Sequence, residues 1–381
     1  MKSKVVVLRC STYDNQQVFE TVKKGVELLG GIDKFFDKEE KILLKPNLLA
    51  STKPEKAATT HPAVFRAVAK LLRDNNYQNL SYGDSPGFGD TKKVAYGCGL
   101  GGAVEEFDLK LADFSDGVRS SVPDGKICKQ FVIANGVLET DGIINVCKMK
   151  SHAFQRVTGA VKNTFGAVYG FNKGGMHVKY GNAYDFAQMI VDLNKLVKPR
   201  LHIMDGIVAM EGSGPRGGDP VEMNVILLSA DPFALDSVFC KLIDLDPKLI
   251  PAIIYGADDG LGVYKEEDIE LIGDDLEPLI NKEFNIPRVK LKSEDIRGIS
   301  GMRKLFLRKP YIKQDKCIKC GICVESCPLD DKAITFSDGS QNIPQYEYNK
   351  CIRCFCCQEL CPYEAIGVKV PLLSRIFDKR N

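Results

Sequence analysis

CIRCFCCQELCP, residues 351–362, places five cysteines in eleven positions. An earlier stretch, CIKCGICVESCP at residues 317–328, places four in the same frame. Both satisfy C-x2-C-x2-C-x3-C-P. Three thiolates on a tight loop can cap three irons of a cube, and a distant fourth closes it. The proline then turns the chain out of the site. Zinc takes four ligands in pairs such as C-x2-C, and two triplet runs are poorly explained by it.

The spacing is that of bacterial two-cluster ferredoxins, in which the fourth cysteine of each run ligates the other cluster. That arrangement predicts one [4Fe–4S] cluster on Cys317, Cys320, Cys323 and Cys361. The second uses Cys351, Cys354, Cys357 and Cys327. Cys356 occupies the position held by Ile322 in the first run, so it is read as a packing residue or as a thiol that tunes a cluster. The chain after Cys327, PLDDKAI, is two residues longer than PYEAI after Cys361. The two clusters are therefore expected to be inequivalent.

The rest of the chain frames this unit. It has 381 residues, room for two or three domains. Its 52 Lys and Arg against 50 Asp and Glu give no global pull toward nucleic acid or membrane. No apolar run reaches the ~18 residues of a spanning helix. MKSKVVVLRC opens on a strand-like run rather than a leader, so a cytoplasmic protein is expected. In such a compartment grouped cysteines read as metal sites. The other five (Cys10, Cys98, Cys128, Cys147 and Cys240) read as small core residues.

KVVVLRC, KILLKPN, LSYGD, DGIINVC, RLHIMDG and NVILLSA are short aliphatic, strand-like runs. Residues 16–31, 62–77 and 231–247 have helical spacing, with Pro62 at an N1 position and Asp231 as a cap. The alternation predicts an α/β domain with a mostly parallel sheet and flanking helices, followed by a small α+β ferredoxin-like domain. The expected division is a body at 1–297, a basic linker at 298–310, the cluster domain at 311–369 and a tail at 370–381. The tail has basic and apolar residues at helical spacing and is read as packing back on the protein.

Ligands of parallel sheets bind beyond the carboxyl ends of strands. Four stretches read as strand-end loops are dense in Lys, Asn, Asp and Gly. They present Lys45 and Asn47; Asp84; Lys148, Lys150, His152, Lys162 and Asn163; and Asp205, Glu211, Gly212, Gly214, Arg216 and Gly217. The lysines suit a carboxylate or phosphate. EGSGPRGG could offer backbone N–H groups to an anion. GCGLGG at 97–102 follows a helix-like segment, so it is not read as a dinucleotide fingerprint. The four histidines lack the spacing of a zinc hydrolase.

LKPNLL, THPAV, GDSPGFG, VCKMKSH, GAVKNTFG, DGIVAMEGSGPRGG and SADPFALD, followed by the paired cysteine runs, resemble the family called domain of unknown function 362. The resemblance covers nearly the whole chain. Its members are usually described as uncharacterised iron–sulfur centre proteins of anaerobes. It implies that Lys45, Asn47, Asp84, Lys148, Lys150, His152, Lys162, Asn163, Asp205 and Glu211 form one constellation. A looser likeness is to the nickel-dependent lactate racemase group, whose paired histidines this sequence lacks.

Three functions compete at this stage. In the first, an oxidoreductase, the clusters exchange single electrons with an anionic substrate, or with a flavin or metal, in the body. Lys150, His152 or Lys162 would then be proton donors or anion clamps, and Asp84, Asp205 or Glu211 bases or metal ligands. The second is a non-catalytic carrier docked on a redox partner protein. The third is an isomerase or ligase with structural clusters. An enclosed pocket within reach of a cluster would favour the first.

Overall fold

The computed structural model describes residues 2–170, 172–290, 308–337 and 342–369. The expected tail at 370–381 and most of the expected linker at 298–310 lie outside the described residues.

The body strands are β1 (Ser3–Arg9), β2 (Ile42–Pro46), β3 (Leu80–Tyr82), β4 (Lys110–Leu111), β5 (Gly117–Ser121), β6 (Gln130–Ala134), β7 (Gly142–His152), β8 (Arg156–Thr158), β9 (Leu201–Glu211), β10 (Asp219–Ser229) and β11 (Ile269–Gly273). Nine form one sheet in the order β11-β1-β10-β9-β7-β2-β3-β4, with β8 attached to β7. The run β9-β7-β2-β3-β4 is parallel throughout. Antiparallel β10 joins it to β1, which pairs in parallel with β11. β5 and β6 make a separate hairpin. Each aliphatic run anticipated from the sequence contains a strand.

Alternation along the strands divides the core. Val6 and Leu8 face the helices Asn15–Leu28 and Pro62–Asp74, while Val5 and Val7 face Pro232–Leu242. Val64, Val68, Leu71 and Leu72 are buried, as their spacing implies. The helix at Pro62 begins where His61 Nδ1 accepts from the Ala63 N–H.

Two stretches expected as loops are strands. β7 runs on through Lys148 and Lys150 to His152, and β9 runs on through Asp205 to Glu211. The reason is pairing. Lys150–His152 pair with β8, and the end of β9 pairs with the start of β10. The backbone groups beyond the central sheet are thus satisfied in strand conformation. The β7–β9 ladder is irregular between Lys148 and Lys150.

The cysteine-rich unit is built on β12 (Lys309–Ile312) paired with β15 (Ile366–Lys369), and β13 (Ile334–Thr335) paired with β14 (Gln345–Tyr346). Pairing from Lys309 draws into this unit two residues that the sequence assigned to the linker. The two cysteine runs share a backbone. Lys319 and Gly321 in one, and Arg353 and Phe355 in the other, have left-handed φ at matching places. These turns fold each triplet of thiols to one side.

The unit packs on the carboxyl ends of the body strands. Gln358 Nε2 donates to Ser213 O at 2.7 Å, and Arg216 donates to Leu360 O and Ser51 O, each at 3.1 Å. A Cβ on Gly87 would meet a Leu360 methyl at 2.4 Å. A bare backbone is what permits that approach.

Candidate functional site

Between body and cluster domain lies a cavity of 850 Å³. Its body wall carries Asn47, Lys150, His152, Lys162, Lys173 and His177, and its other wall carries Cys327, Cys356 and Glu359. The volume is that of ordinary small-molecule sites.

The cations of this wall are held differently. Lys150 Nζ donates to Asn47 Oδ1 and to Ala58 O, both at 2.6 Å, while Asn47 Nδ2 donates to Asn163 Oδ1 at 2.9 Å. Burial and then Lys162 push the Lys150 pKa down to about 7. Lys173 donates to the Ser85 hydroxyl at 2.9 Å, to Pro86 O at 2.8 Å and to Ser85 O; burial lowers its pKa to about 7 as well. Lys162 differs. Its ammonium has no hydrogen bond or ion pair among the described residues, and lies 5.8 Å from the Phe165 ring centroid. Burial lowers its pKa.

His152 Nδ1 accepts from the N–H groups of Phe154 and Gln155 at 3.0 and 3.1 Å. The ring proton therefore sits on Nε2, 3.0 Å from Glu359 Oε1. Burial and then Lys162 lower the His152 pKa to about 4. Burial works to raise the Glu359 pKa, and His152, Lys162 and His177 outweigh it, holding the carboxyl at about 2. His177 stacks on Phe186, with ring centroids 4.5 Å apart. Its buried Nδ1 has no hydrogen-bond partner among the described residues.

At the cavity wall, where Asp84 is part of the lining, Lys45 pairs with Asp84 at 2.8 Å with both side chains buried. Lys45 also donates to Asn163 O at 2.6 Å, and Asp84 accepts from the Leu48 N–H at 2.7 Å. This pair ties the ends of β2 and β3 together.

The remaining expected residues are placed elsewhere. Lys148 pairs with Asp205 at 2.7 Å in a second buried cluster, where Tyr13 donates to Asp205 at 2.9 Å and stacks on His61. Glu211 accepts from the Asn285 N–H at 2.7 Å and lines no part of the cavity. Gly212 also bonds Asn285, through its N–H to the Asn285 carbonyl at 2.9 Å. Gly214 takes a Ser151 Oγ contact at 3.2 Å, and Gly217 lies against Gln358. The glycine loop and Arg216 thus seat the cluster domain, so the expectation of one constellation divides into three places. Lys173, His177 and Glu359 were not anticipated. The first two lie on a helix, Asn172–Lys179, whose GFNKGGMHVK sequence has no strong apolar period. Glu359 acts across the domain boundary.

The cysteines of the first expected ligand set are gathered in one place. Cys317, Cys320, Cys323 and Cys361 line one enclosure, and the Ala365 N–H donates to Cys361 Sγ at 3.3 Å. Cys351 lies near Cys354 and Cys327, and Cys357 lies near Cys354, Cys351 and Cys323. Among the described residues no three His, Cys, Asp or Glu side chains converge tightly enough to hold a single metal ion. The first set of thiols surrounds an enclosed space, as a cluster requires.

These features define an iron–sulfur protein with an α/β body. Residues 309–362 match the 4Fe-4S dicluster domain profile. The chain belongs to the family described as domain of unknown function (DUF362), whose profile matches residues 42–241. It is 35% identical over 254 residues to a thylakoid-associated protein of Synechocystis, covering 66% of this chain and 78% of that one. The lactate racemase apoprotein of Thermoanaerobacterium thermosaccharolyticum shares 12% identity, with a TM-score of 0.40. That match covers 60% of this chain and spans only 54% of the racemase. No helix among the described residues is long and apolar enough to cross a membrane.

Proposed function

We propose that the protein is an oxidoreductase whose clusters exchange single electrons with an anionic substrate or cofactor held in the interdomain cavity. One observation carries this reading: Cys327, assigned to the second cluster, lines the same cavity as Lys150, His152 and Lys162. The clusters, when bound, supply one-electron chemistry.

The side chains then divide the work. Lys162 holds a carboxylate or phosphate with an ammonium that makes no hydrogen bond or ion pair among the described residues. Lys150, poised near neutral pH between Asn47 and Ala58, gives or takes a proton at Nζ. His152 orients Glu359 through Nε2–H. Lys45 and Asp84 position Asn163 and the β2 and β3 ends. A carrier has no use for three amines around one cavity, and structural clusters have no reason to border it. A flavin in the same cavity is the form of the reading in which single electrons become pairs. A cytoplasmic location is part of the proposal.

The test is anaerobic purification with iron, sulfide and flavin assays, followed by titration of carboxylate- and phosphate-bearing compounds against the visible and EPR spectra. A saturable change in one cluster's signal that Lys162→Gln abolishes is expected. If no anion or flavin perturbs either cluster, and Lys162→Gln handles electrons like the parent, the carrier reading replaces this one.

A further inference from the structure

The two expected cluster sites border different spaces. The second borders the cavity through Cys327. The first is bordered by Ile318, Lys319 and Tyr363, which share the enclosure of Cys317, Cys320, Cys323 and Cys361. Cys320 is exposed. Ile318, at 56% exposure, and Tyr363, at 46%, are large apolar side chains turned to solvent over a redox centre.

The charge around them is one-sided. Residues 311–366 hold six Lys and Arg against eight Asp and Glu, a net of −2. Three of those six cations, Lys313, Lys316 and Lys319, fall within seven positions beside the first cluster, with Asp315 as the one acid among them. Lys316 and Lys319 are exposed. Glu364, the acid next to Tyr363, is paired with Lys56 at 2.9 Å. A small apolar contact rimmed by positive charge has thus been concentrated on an acidic domain, on a surface that shares no lining residue with the cavity.

We infer that this face is the docking site of an acidic electron-carrier protein that exchanges electrons with the first cluster. Two apolar side chains over the centre allow close approach, and the lysines steer a negative partner. The small extent of the face fits a transient redox encounter, which belongs to the low end of interface sizes. An anionic membrane surface is the competing occupant. It would need a broader apolar area than Ile318 and Tyr363 present.

The inference rests on the clusters and not on the cavity reading, and its test keeps the two apart. The clusters of the full-length holoprotein are reduced in a stopped-flow instrument by a reduced acidic flavodoxin at rising ionic strength. The second-order rate constant is expected to fall steeply with salt. Lys316→Glu/Lys319→Glu is expected to lower it about tenfold or more at low salt and to flatten the salt dependence. A remote charge change, Lys23→Glu/Lys24→Glu on the helix Asn15–Leu28, is expected to leave it unchanged. Dithionite reduction should be the same in all three proteins, showing that clusters and fold are intact. An unchanged flavodoxin rate in Lys316→Glu/Lys319→Glu overturns the inference. So does a variant that loses binding to phosphatidylglycerol vesicles while its flavodoxin rate stays at the parent value.

Discussion

His152 Nε2 of the body lies 3.0 Å from Glu359 Oε1 of the cluster domain, with both groups buried. The contact joins the last residue of β7 to the helix Cys356–Leu360, and so joins cavity wall to cluster wall. It also makes the assembly sensitive to acid. The His152 pKa is about 4 in the folded protein and ordinarily near 6.5. The unfolded chain therefore takes up the proton more readily. Stability from this group is fully present above about pH 6.5 and falls as the pH drops toward 4. Glu359 is held at about 2, so its contribution is present above about pH 4.3 and is lost as the pH falls toward 2. The two windows follow one another. Thermal midpoints of the holoprotein should decline from pH 6.5 to 4, and His152→Gln should flatten that slope by about one proton. An unchanged slope in the variant would remove His152 as the origin.

The Lys45–Asp84 pair gives a second prediction. Both side chains are out of water, and the partners are 2.8 Å apart. Removing one leaves the other charge buried and uncompensated, at a cost of about 3–5 kcal/mol. Lys45→Met should therefore lower the melting temperature strongly. Lys45→Met/Asp84→Leu should cost much less than the sum of its single changes, because the desolvation of both charges is relieved together. Additive effects would show that the pair does not act as a unit.

Much of this site follows from local pattern. The expected ligand triplets follow from spacing within each cysteine run, and the parallel order from strands that alternate with helices. Other features depend on contacts between distant segments. Lys148 and Lys150 are two residues apart on one strand, so alternation alone puts them together. The irregular ladder between them sends Lys148 to Asp205 and Lys150 to Asn47. Arg216 looks like an anion ligand in sequence, yet it is spent on carbonyls of Leu360 and Ser51 that only the docked domain presents. Glu359 reads as a helix-surface acid until the body closes over it.

Lys150 and Lys162 are separable by pH. Lys162 faces the cavity without a protein partner among the described residues, so Lys162→Gln should weaken an anionic ligand about 10- to 100-fold with the fold intact. Lys150 titrates near 7, its charge being disfavoured by burial and by Lys162. As pH rises through about 7 the ammonium is lost, and anion affinity that depends on it should fall. Calorimetric or spectroscopic titration from pH 6 to 8 should show this step in the parent and not in Lys150→Met. A step that persists in the variant assigns it to another group, with Lys173 as the first candidate.

Cys356 should not be a ligand, although it lines the cavity. Its thiol lies beside that of Cys354, one of the assigned ligands. Cys356→Ala should retain about eight irons, whereas Cys354→Ala should lose or convert one cluster. Fewer irons in Cys356→Ala would require the second ligand set to be redrawn.

Tyr346 offers the sharpest probe of inequivalence between the clusters. Its hydroxyl donates to Cys357 Sγ at 3.2 Å from the start of the pairing between β14 and β13. Among the described residues no side-chain hydroxyl makes the corresponding contact to Cys317, Cys320, Cys323 or Cys361. A hydrogen bond to a ligand sulfur drains negative charge from the cluster and favours the reduced state, raising the potential. Tyr346→Phe keeps the ring and its stacking on Tyr348, where the centroids are 5.5 Å apart, and removes only the donor. An EPR-monitored redox titration should then show one midpoint displaced to lower potential and the other unmoved. The displaced signal should be the one that responds to ligands in the cavity, since Cys357 and Cys327 are assigned to the same cluster. Equal displacement of both midpoints would mean that the hydroxyl acts through the packing of the whole domain instead.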